Sequence, residues 1–245
     1  MIHKCTGGKI IMKFENTEVW GFEHSLRGMR NPKNSWHKSD SGRNYDILDG
    51  CRMDCPHINT DCDEEYCDDY IIGANDMKLA QTLIKAGSEH CKFMRMIHVA
   101  VDVNMPRYWW SEADTYHFNT KNSCSTMHKL LNNDKSIASD MFVICGEDMD
   151  WWKYTINKLE SLRLEYKEIQ RTTKDNEKMN RLLVRAKRML PEGFEQMRTW
   201  DTNYAELRNM YFQRRHHRLQ EEWGETFCKW IETLPYAKEL IMYEG

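Results

Sequence analysis

Along the chain the spacing of apolar residues changes period several times, and each change predicts an element. RMIHVAVDV (residues 95–103) alternates, with Ile97, Val99, Val101 and Val103 on one face and Met96, His98, Ala100 and Asp102 on the other. A period of two predicts a half-buried strand. Trp152, Ile156, Leu159, Leu162, Tyr166 and Ile169 step by three and four, which predicts a helix, and Met179, Leu182, Leu183, Ala186 and Leu190 predict another, ended by Pro191 and Gly193. Leu79, Ala80, Leu83 and Ile84 share a helical face that Asn75 or Asp76 caps and Gly87 closes at C′. KIIMKF (9–14) predicts a short strand, and the amphipathic stretch WGFEHSLRGMRNPKNSW (20–36) breaks at Asn31-Pro32. Pro106 suits the first turn of a helix through Tyr108, Trp109 and Trp110. Thr202 is expected to cap a last helical region running from Asn203 to about Trp230, broken near Gly224, with Pro235 as its stop. The pattern gives a mixed α/β (α+β) single domain over residues 1–245, with a helical C-terminal half and no internal repeat.

Residues 37–70 interrupt this pattern as a polar, acidic, Cys-rich insertion. Within it, CRMDCPHINTDCDEEYC places Cys51, Cys55, Cys62 and Cys67 in 17 residues, with His57 between them. Four thiolates are what structural zinc requires, and here the metal would staple the insertion. The spacings are not tight Cys-x-x-Cys pairs, so metal-free loop cysteines remain the open alternative. Nine Cys is an odd number, and the N-terminus lacks an apolar signal region, which together point to free thiols in a reducing, cytoplasmic compartment. No run is apolar for long enough to span a membrane, and a net charge of −3 argues against direct nucleic-acid binding through phosphate attraction.

Three polar segments carry candidate chemistry. DTYHFNTKNSCSTMH (114–128) is almost devoid of apolar residues, yet His117 and His128 have no metal spacing and nothing local activates Cys124. From its residues alone it is a polar loop. The run QRRHHR (213–218) follows NYAELRNMYF, so one helix would carry Asn203, Arg208 or Asn209, and Arg214, amide and guanidinium groups suited to a planar, phosphate-bearing ligand. The same helix would place Arg214 and Arg218 on one face, and a plain solvated face accounts for such a run equally. Arg27, Arg30 and Lys33, around a Gly and an Asn-Pro turn, form a third, weaker phosphate candidate.

The order of strand, PRYWW helix, polar strip and Asn-opened final helix resembles the flavin-dependent thymidylate synthases. The hallmark of that family is RHR-x-x-S-x-N-E-x-S-x-R-Y. Laid ungapped from Pro106, its Ser-x-Asn-x-x-Ser skeleton falls on Thr120, Asn122 and Ser125. The hallmark arginines, the central His, the Glu and the final Arg-Tyr are absent, and Glu112 stands where the preceding helix has Gln. His90 lies 16 residues before Pro106, where the family has a flavin-site histidine. Asn203, Glu206-Leu207-Arg208, Asn209, Arg214 and Gln220 match the family's final helix, whereas Ala205 replaces its flavin-contacting Arg. The resemblance covers about residues 85–130 and 200–235. The pattern, including SLRGMRNPKNSW and NSCSTMH, is also similar to a divergent branch associated with phages and gut Firmicutes.

The resemblance implies an antiparallel sheet with long helices, a homotetramer, and transfer of a methylene from folate to the uracil ring of dUMP with FAD and NADPH. It implies Arg214 and Ser125 as catalytic groups, Thr120, Asn122, Ser125, Arg214 and Gln220 around the nucleotide, and His90, His117, Asn203 and Asn209 on the cofactor side. The pocket would be shared between subunits. Each lost charge-assisted contact removes about 1.5–3 kcal/mol, so the nucleotide half of the site is better retained than the flavin half. Arg95, Arg107 and Lys121 lie near enough in sequence to replace lost cations. Three roles remain open: C5 methylation or hydroxymethylation of a deoxyuridylate or deoxycytidylate; nucleotide binding or sequestration without turnover, in a bacterial host cytoplasm if phage-encoded; and a structural subunit with no pocket occupied.

Overall fold

The computed structural model describes residues 12–43, 70–144 and 146–245. In chain order its elements are β1 (Lys13–Trp20), α1 (Phe22–Arg30), β2 (Gly42–Arg43), β3 (Tyr70–Ile71), α2 (Ala74–Lys85), β4 (His98–Pro106), α3 (Arg107–Ala113), β5 (Thr120–Ser123), α4 (Thr126–Lys129), α5 (Met149–Arg171), α6 (Asn176–Met189), β6 (Glu195–Asn203), α7 (Tyr204–Arg214) and α8 (Lys229–Glu232). Strands β1, β4, β6 and β5, in that order, form an antiparallel sheet, and β2 pairs with β3 separately. The class is mixed α/β with helices around an antiparallel sheet, as expected. The chain divides into two compact units, one of Met1–Asn16 and Val101–Trp200, the other of Thr17–Ala100 and Asp201–Gly245.

The alternation in β4 is obeyed throughout: Val99, Val101, Val103 and Met105 are buried, and the residues between them are half-buried. In the first unit α5 and α6 pack as a helical hairpin, and Leu159, Leu162, Leu182 and Ala186 close over Leu130, Leu131, Ile137 and Phe142. The segment before α5 is clamped by charge: Arg163 donates to the Asn133 carbonyl at 3.0 Å, and the Ile137 N–H donates to Glu160 at 2.8 Å. In the second unit α1 and α7 pack on a 3₁₀ turn over Lys92–Met96. Gly21 begins this arrangement at φ 95°, and a Cβ there would stand 2.1 Å from the Met96 carbonyl oxygen, so only glycine fits.

A buried ion pair anchors the second unit. Asp76 is fully buried and accepts from Arg30 Nε at 2.5 Å, from Ser39 Oγ at 2.6 Å and from Ser41 Oγ at 2.5 Å. Asp76 is therefore not the cap of α2. The helix begins at Ala74 after Gly73, and Asp40 accepts from the backbone N–H groups of Asn75 at 2.8 Å and Asp76 at 3.1 Å. A buried guanidinium requires a carboxylate, and that demand turns Asp76 inward and leaves capping to a residue distant in sequence. Gly87 does follow the helix end with φ 115°.

Other expectations are displaced. Pro106 precedes α3 in extended geometry, with ψ 154°, and the helix starts at Arg107. Thr202 lies in β6 and the cap of α7 is Asn203. The final helical region breaks at Arg215–Leu219 before π-helical turns over Gln220–Cys228, so Gly224 is not the break and Arg214 and Arg218 share no helical face. Strand β6 was not signalled at all, because only Trp200, Thr202 and Asn203 of its residues are buried and two of those are polar. The strand predicted at 9–14 begins, among described residues, at Lys13. Cys51, Cys55, His57, Cys62 and Cys67 lie outside the described residues. Among the described residues no group of three His, Cys, Asp or Glu could hold a metal, and no helix is long and apolar enough to cross a membrane.

Burial alone would raise the Asp76 carboxyl, but the Ser39 and Ser41 hydroxyls and the Arg30 guanidinium outweigh it and hold it below the ordinary value. A depressed carboxylate stabilises the fold above its unfolded pKa, about 3.9, and that contribution is lost as pH falls through the folded value. Asp76→Ala, which strands Arg30, is expected to cost about 3–5 kcal/mol in urea unfolding at pH 7. The difference from the parent should shrink in acid; a gap that stays constant to the acid limit would remove Asp76 as the source.

Candidate functional site

In the first unit the polar strip is ordered by its two ends. Asp114 closes α3, its N–H reaching the Trp110 carbonyl at 2.8 Å. Its two carboxylate oxygens both accept from Arg198 Nη1, at 3.0 and 3.1 Å, while Nη2 donates to the Gln196 side chain at 3.3 Å, and Lys121 forms an ion pair with Asp114 at 3.3 Å. Arg198 lies 4.3 Å over the Trp110 ring and Lys121 lies 5.7 Å over Trp200, so both cations are held from below by aromatic faces. Trp109, Trp110 and Trp200 are fully buried and meet edge-on, with centroids 4.8 to 6.4 Å apart.

Between these anchors the strip is not the loop its composition implies. Thr120–Ser123 is β5, the edge neighbour of β6. The Cys124 N–H donates to the Met197 carbonyl at 2.9 Å, and Gln196 donates to the Cys124 carbonyl at 2.9 Å. Thr120 and Asn122, two residues apart on a strand, present their side chains on one face, and both are exposed. Ser125 then caps α4, accepting from the His128 N–H at 3.3 Å. His117 is exposed before β5.

The second unit carries the other predicted residues. Asn203 is buried as the cap of α7, accepting from the Glu206 N–H at 3.1 Å. Asn209 is exposed and accepts from Gln213 at 2.7 Å. Arg208 is turned inward, donating to the Ile241 carbonyl at 2.7 Å. These residues therefore do not form the single row along a helix that their spacing implied. Arg214 lies 4.5 Å over the Trp223 ring, and Gln220 donates to the His217 carbonyl at the start of the π-helical turns. That contact holds the guanidinium over an aromatic face at the end of α7. His90 is exposed in the turn after α2.

Several polar groups had no sequence signal. Asp102 accepts from Thr199 at 2.6 Å and Asn16 at 2.9 Å, joining the central strand to both of its neighbours. The Thr199 hydroxyl first, then the Asn16 amide, hold the Asp102 carboxyl below its ordinary pKa. Lys187, on α6, donates to the Thr126 hydroxyl of the strip. It is one of three basic residues in RAKRM (185–189), and only the packing of α4 on α6 singles it out.

No protein-family model and no curated protein matches the chain. Among solved structures its fold is similar to that of flavin-dependent thymidylate synthase ThyX from Helicobacter pylori complexed with FAD and dUMP. The TM-score is 0.63 at 13% identity, covering 95% of this chain and 98% of that one. A further ThyX structure from Helicobacter pylori with FAD and dUMP gives a TM-score of 0.63 at 13% identity, covering 96% and 100%. The likeness establishes the fold.

The Asp114–Arg198 pair is a measurable anchor of the strip. Asp114 is half-exposed, so solvent screening limits the pair, and a double-mutant cycle with Asp114→Ala and Arg198→Ala should give a coupling of about 1 kcal/mol in urea unfolding. Strict additivity would mean that the pair does not hold the strip.

Proposed function

We propose that the protein binds a pyrimidine deoxynucleotide of the dUMP type and modifies the base at C5, by methylation or hydroxymethylation. The observation that carries this reading is the likeness in fold, over nearly the whole of both chains, to a synthase solved with FAD and dUMP. Ser125, which follows the exposed Thr120 and Asn122 in the strip and is itself half-buried, offers a hydroxyl to a phosphate oxygen. Arg214, whose guanidinium lies over the Trp223 ring, offers that group to a pyrimidine carbonyl, with Gln220 following it. His90, His117, Asn203 and Asn209 are assigned to the cofactor side. A folate would donate the carbon and NADPH the reducing equivalents. In this reading the protein is a cytoplasmic homotetramer, phage-encoded in a bacterial host, and a zinc held by Cys51, Cys55, Cys62 and Cys67 staples the insertion.

The flavin fits this chain poorly. The cation of the strip itself, Lys121, is engaged by Asp114 and by the Ala113 carbonyl at 3.2 Å, and Arg198 is spent on the same carboxylate. A flavin diphosphate would meet no uncommitted arginine on β5 or its neighbour, so no step is assigned to FAD. That observation favours a second reading, a nucleotide-binding or nucleotide-sequestering protein without turnover.

Mass spectrometry of the small molecule released on denaturation separates the two readings. A flavin with a yellow absorption band supports the enzyme, and a colourless protein releasing or binding a pyrimidine nucleotide supports sequestration. In calorimetry Arg214→Ala is expected to weaken dUMP binding by at least about tenfold, the equivalent of one charge-assisted contact. Unchanged affinity would remove Arg214 from the site.

A further inference from the structure

The solvent side of α6 carries a stripe of positive charge. Lys178, Arg181, Arg185 and Arg188 are all exposed, and their spacing of three, four and three residues places them on one helical face over about 15 Å. Lys174 precedes the helix in a left-handed turn and is exposed as well. The helix holds five basic residues and one acidic residue in a chain whose net charge is −3. Its neighbour α5 carries the charge pattern of a plain solvated face. There the exposed charges are Asp150, Lys153, Glu165, Glu168 and Arg171, of both signs, and Glu168 answers Arg171 at 2.8 Å.

The stripe is only loosely answered. Lys178 reaches Asp175 at 3.5 Å and Arg181 reaches Glu177 at 3.8 Å, long pairs open to water that contribute little. Among the described residues no carboxylate pairs with Arg185 or Arg188. Helix stability does not require the stripe either. The macrodipole favours cations in the last turn and opposes Lys178 in the first, and like charges three or four residues apart destabilise a helix. A polyanion relieves such a face, and the composition of the face selects which one. A protein partner would need an apolar anchor at the centre of its contact, and among the described residues no large apolar side chain is exposed on α6. A single-stranded nucleic acid would need aromatic rings on which its bases stack, and α6 has none. A duplex backbone needs only cations spaced along its phosphates. The net charge of −3 does not prevent this. Screening at physiological salt confines each charge to about 8 Å, so phosphates meet the stripe and not the whole surface.

We infer that the exposed face of α6 is a docking surface for the phosphodiester backbone of a nucleic-acid duplex, with Lys178, Arg181, Arg185 and Arg188 as its phosphate contacts. Binding through phosphates alone carries no sequence information, so the surface holds the protein on a duplex of any sequence. Guanidinium forks at three of the four positions supply paired donors to phosphate oxygens, and Lys178 supplies a point charge. The inference does not rest on the proposed nucleotide-binding function, and the two fail separately.

The test is fluorescence anisotropy of the full-length protein with a fluorescein-labelled DNA duplex of mixed sequence at neutral pH, between about 50 and 200 mM NaCl. The parent is expected to bind with a slope of log affinity against log salt of about −3.6, four neutralised phosphates at about −0.9 each. The double variant Arg181→Gln with Arg185→Gln should flatten that slope by about 1.8 and weaken binding at the lowest salt by about tenfold or more. Arg181→Lys with Arg185→Lys should keep the slope, and Lys78→Gln, which removes an exposed cation on α2, should leave binding unchanged. A measurement on the parent covers the case of a misfolded variant: bound duplex should protect Lys174 and Lys178, but not Lys78, from acetylation read by mass spectrometry. No binding at the lowest salt, a slope that the double variant leaves unchanged, or equal acetylation of the three lysines would each overturn the docking surface. Tighter binding of poly-glutamate or of the single strand than of the duplex would overturn the duplex as its partner. Affinity for dUMP is expected to be the same in the double variant and the parent; its loss together with duplex binding would assign the stripe to the nucleotide site instead.

Discussion

The aromatic cluster beneath the strip is the constraint on which the candidate site depends. Trp109, Trp110 and Trp200 are wholly buried and meet edge to face. Such contacts add about 0.5–1.5 kcal/mol per pair beyond burial, and they fix the faces over which Arg198 and Lys121 lie. Those cations hold Asp114, and Asp114 holds the beginning of the strip. A strip of polar residues has no apolar face to bury, so its conformation is borrowed from the indoles below it. Thr120 and Asn122 are displayed at the sheet edge because that foundation is rigid.

The same economy recurs among the predicted site residues. Ser125 and Asn203 both serve as helix caps, so each side-chain oxygen already accepts a backbone N–H. Caps are good places for ligand groups because their positions are determined by the helices they start. They also bring a competing role: exchanging either residue disturbs a helix terminus as well as any ligand. Arg214 differs, since its guanidinium is positioned over the Trp223 ring and caps no helix.

Charge is distributed to opposite effect in the two units. In the second, Arg30 is buried against Asp76 with two hydroxyls closing the carboxylate, and every charge is answered. In the first, Arg107 pairs with a Glu192 that is more than half exposed. The first arrangement stabilises a fold. The second, screened by water, contributes little.

The sequence by itself determined the elements that obey one strong period. Alternation from Ile97 to Val103 is β4, the three-four spacing from Trp152 to Ile169 is α5, and α1 ends at Arg30 just before Asn31-Pro32, where the chain tightens into a 3₁₀ turn over Asn31–Lys33. It also determined the ordered skeleton Thr120, Asn122 and Ser125 through which the fold could be foreseen. Tertiary structure decided what has no local signature. Strand β6 is defined by pairing with β4 and β5, not by its own mostly polar side chains. Asp76 gave up the cap of α2 because a buried guanidinium 46 residues away required it. The start of α3 and the turn after α6, far apart in the chain, are joined only by backbone bonds from Arg107 and Tyr108 to the carbonyls of Phe194 and Glu192. Periodicity records what one segment buries, whereas the partner of a charge is chosen by the whole fold.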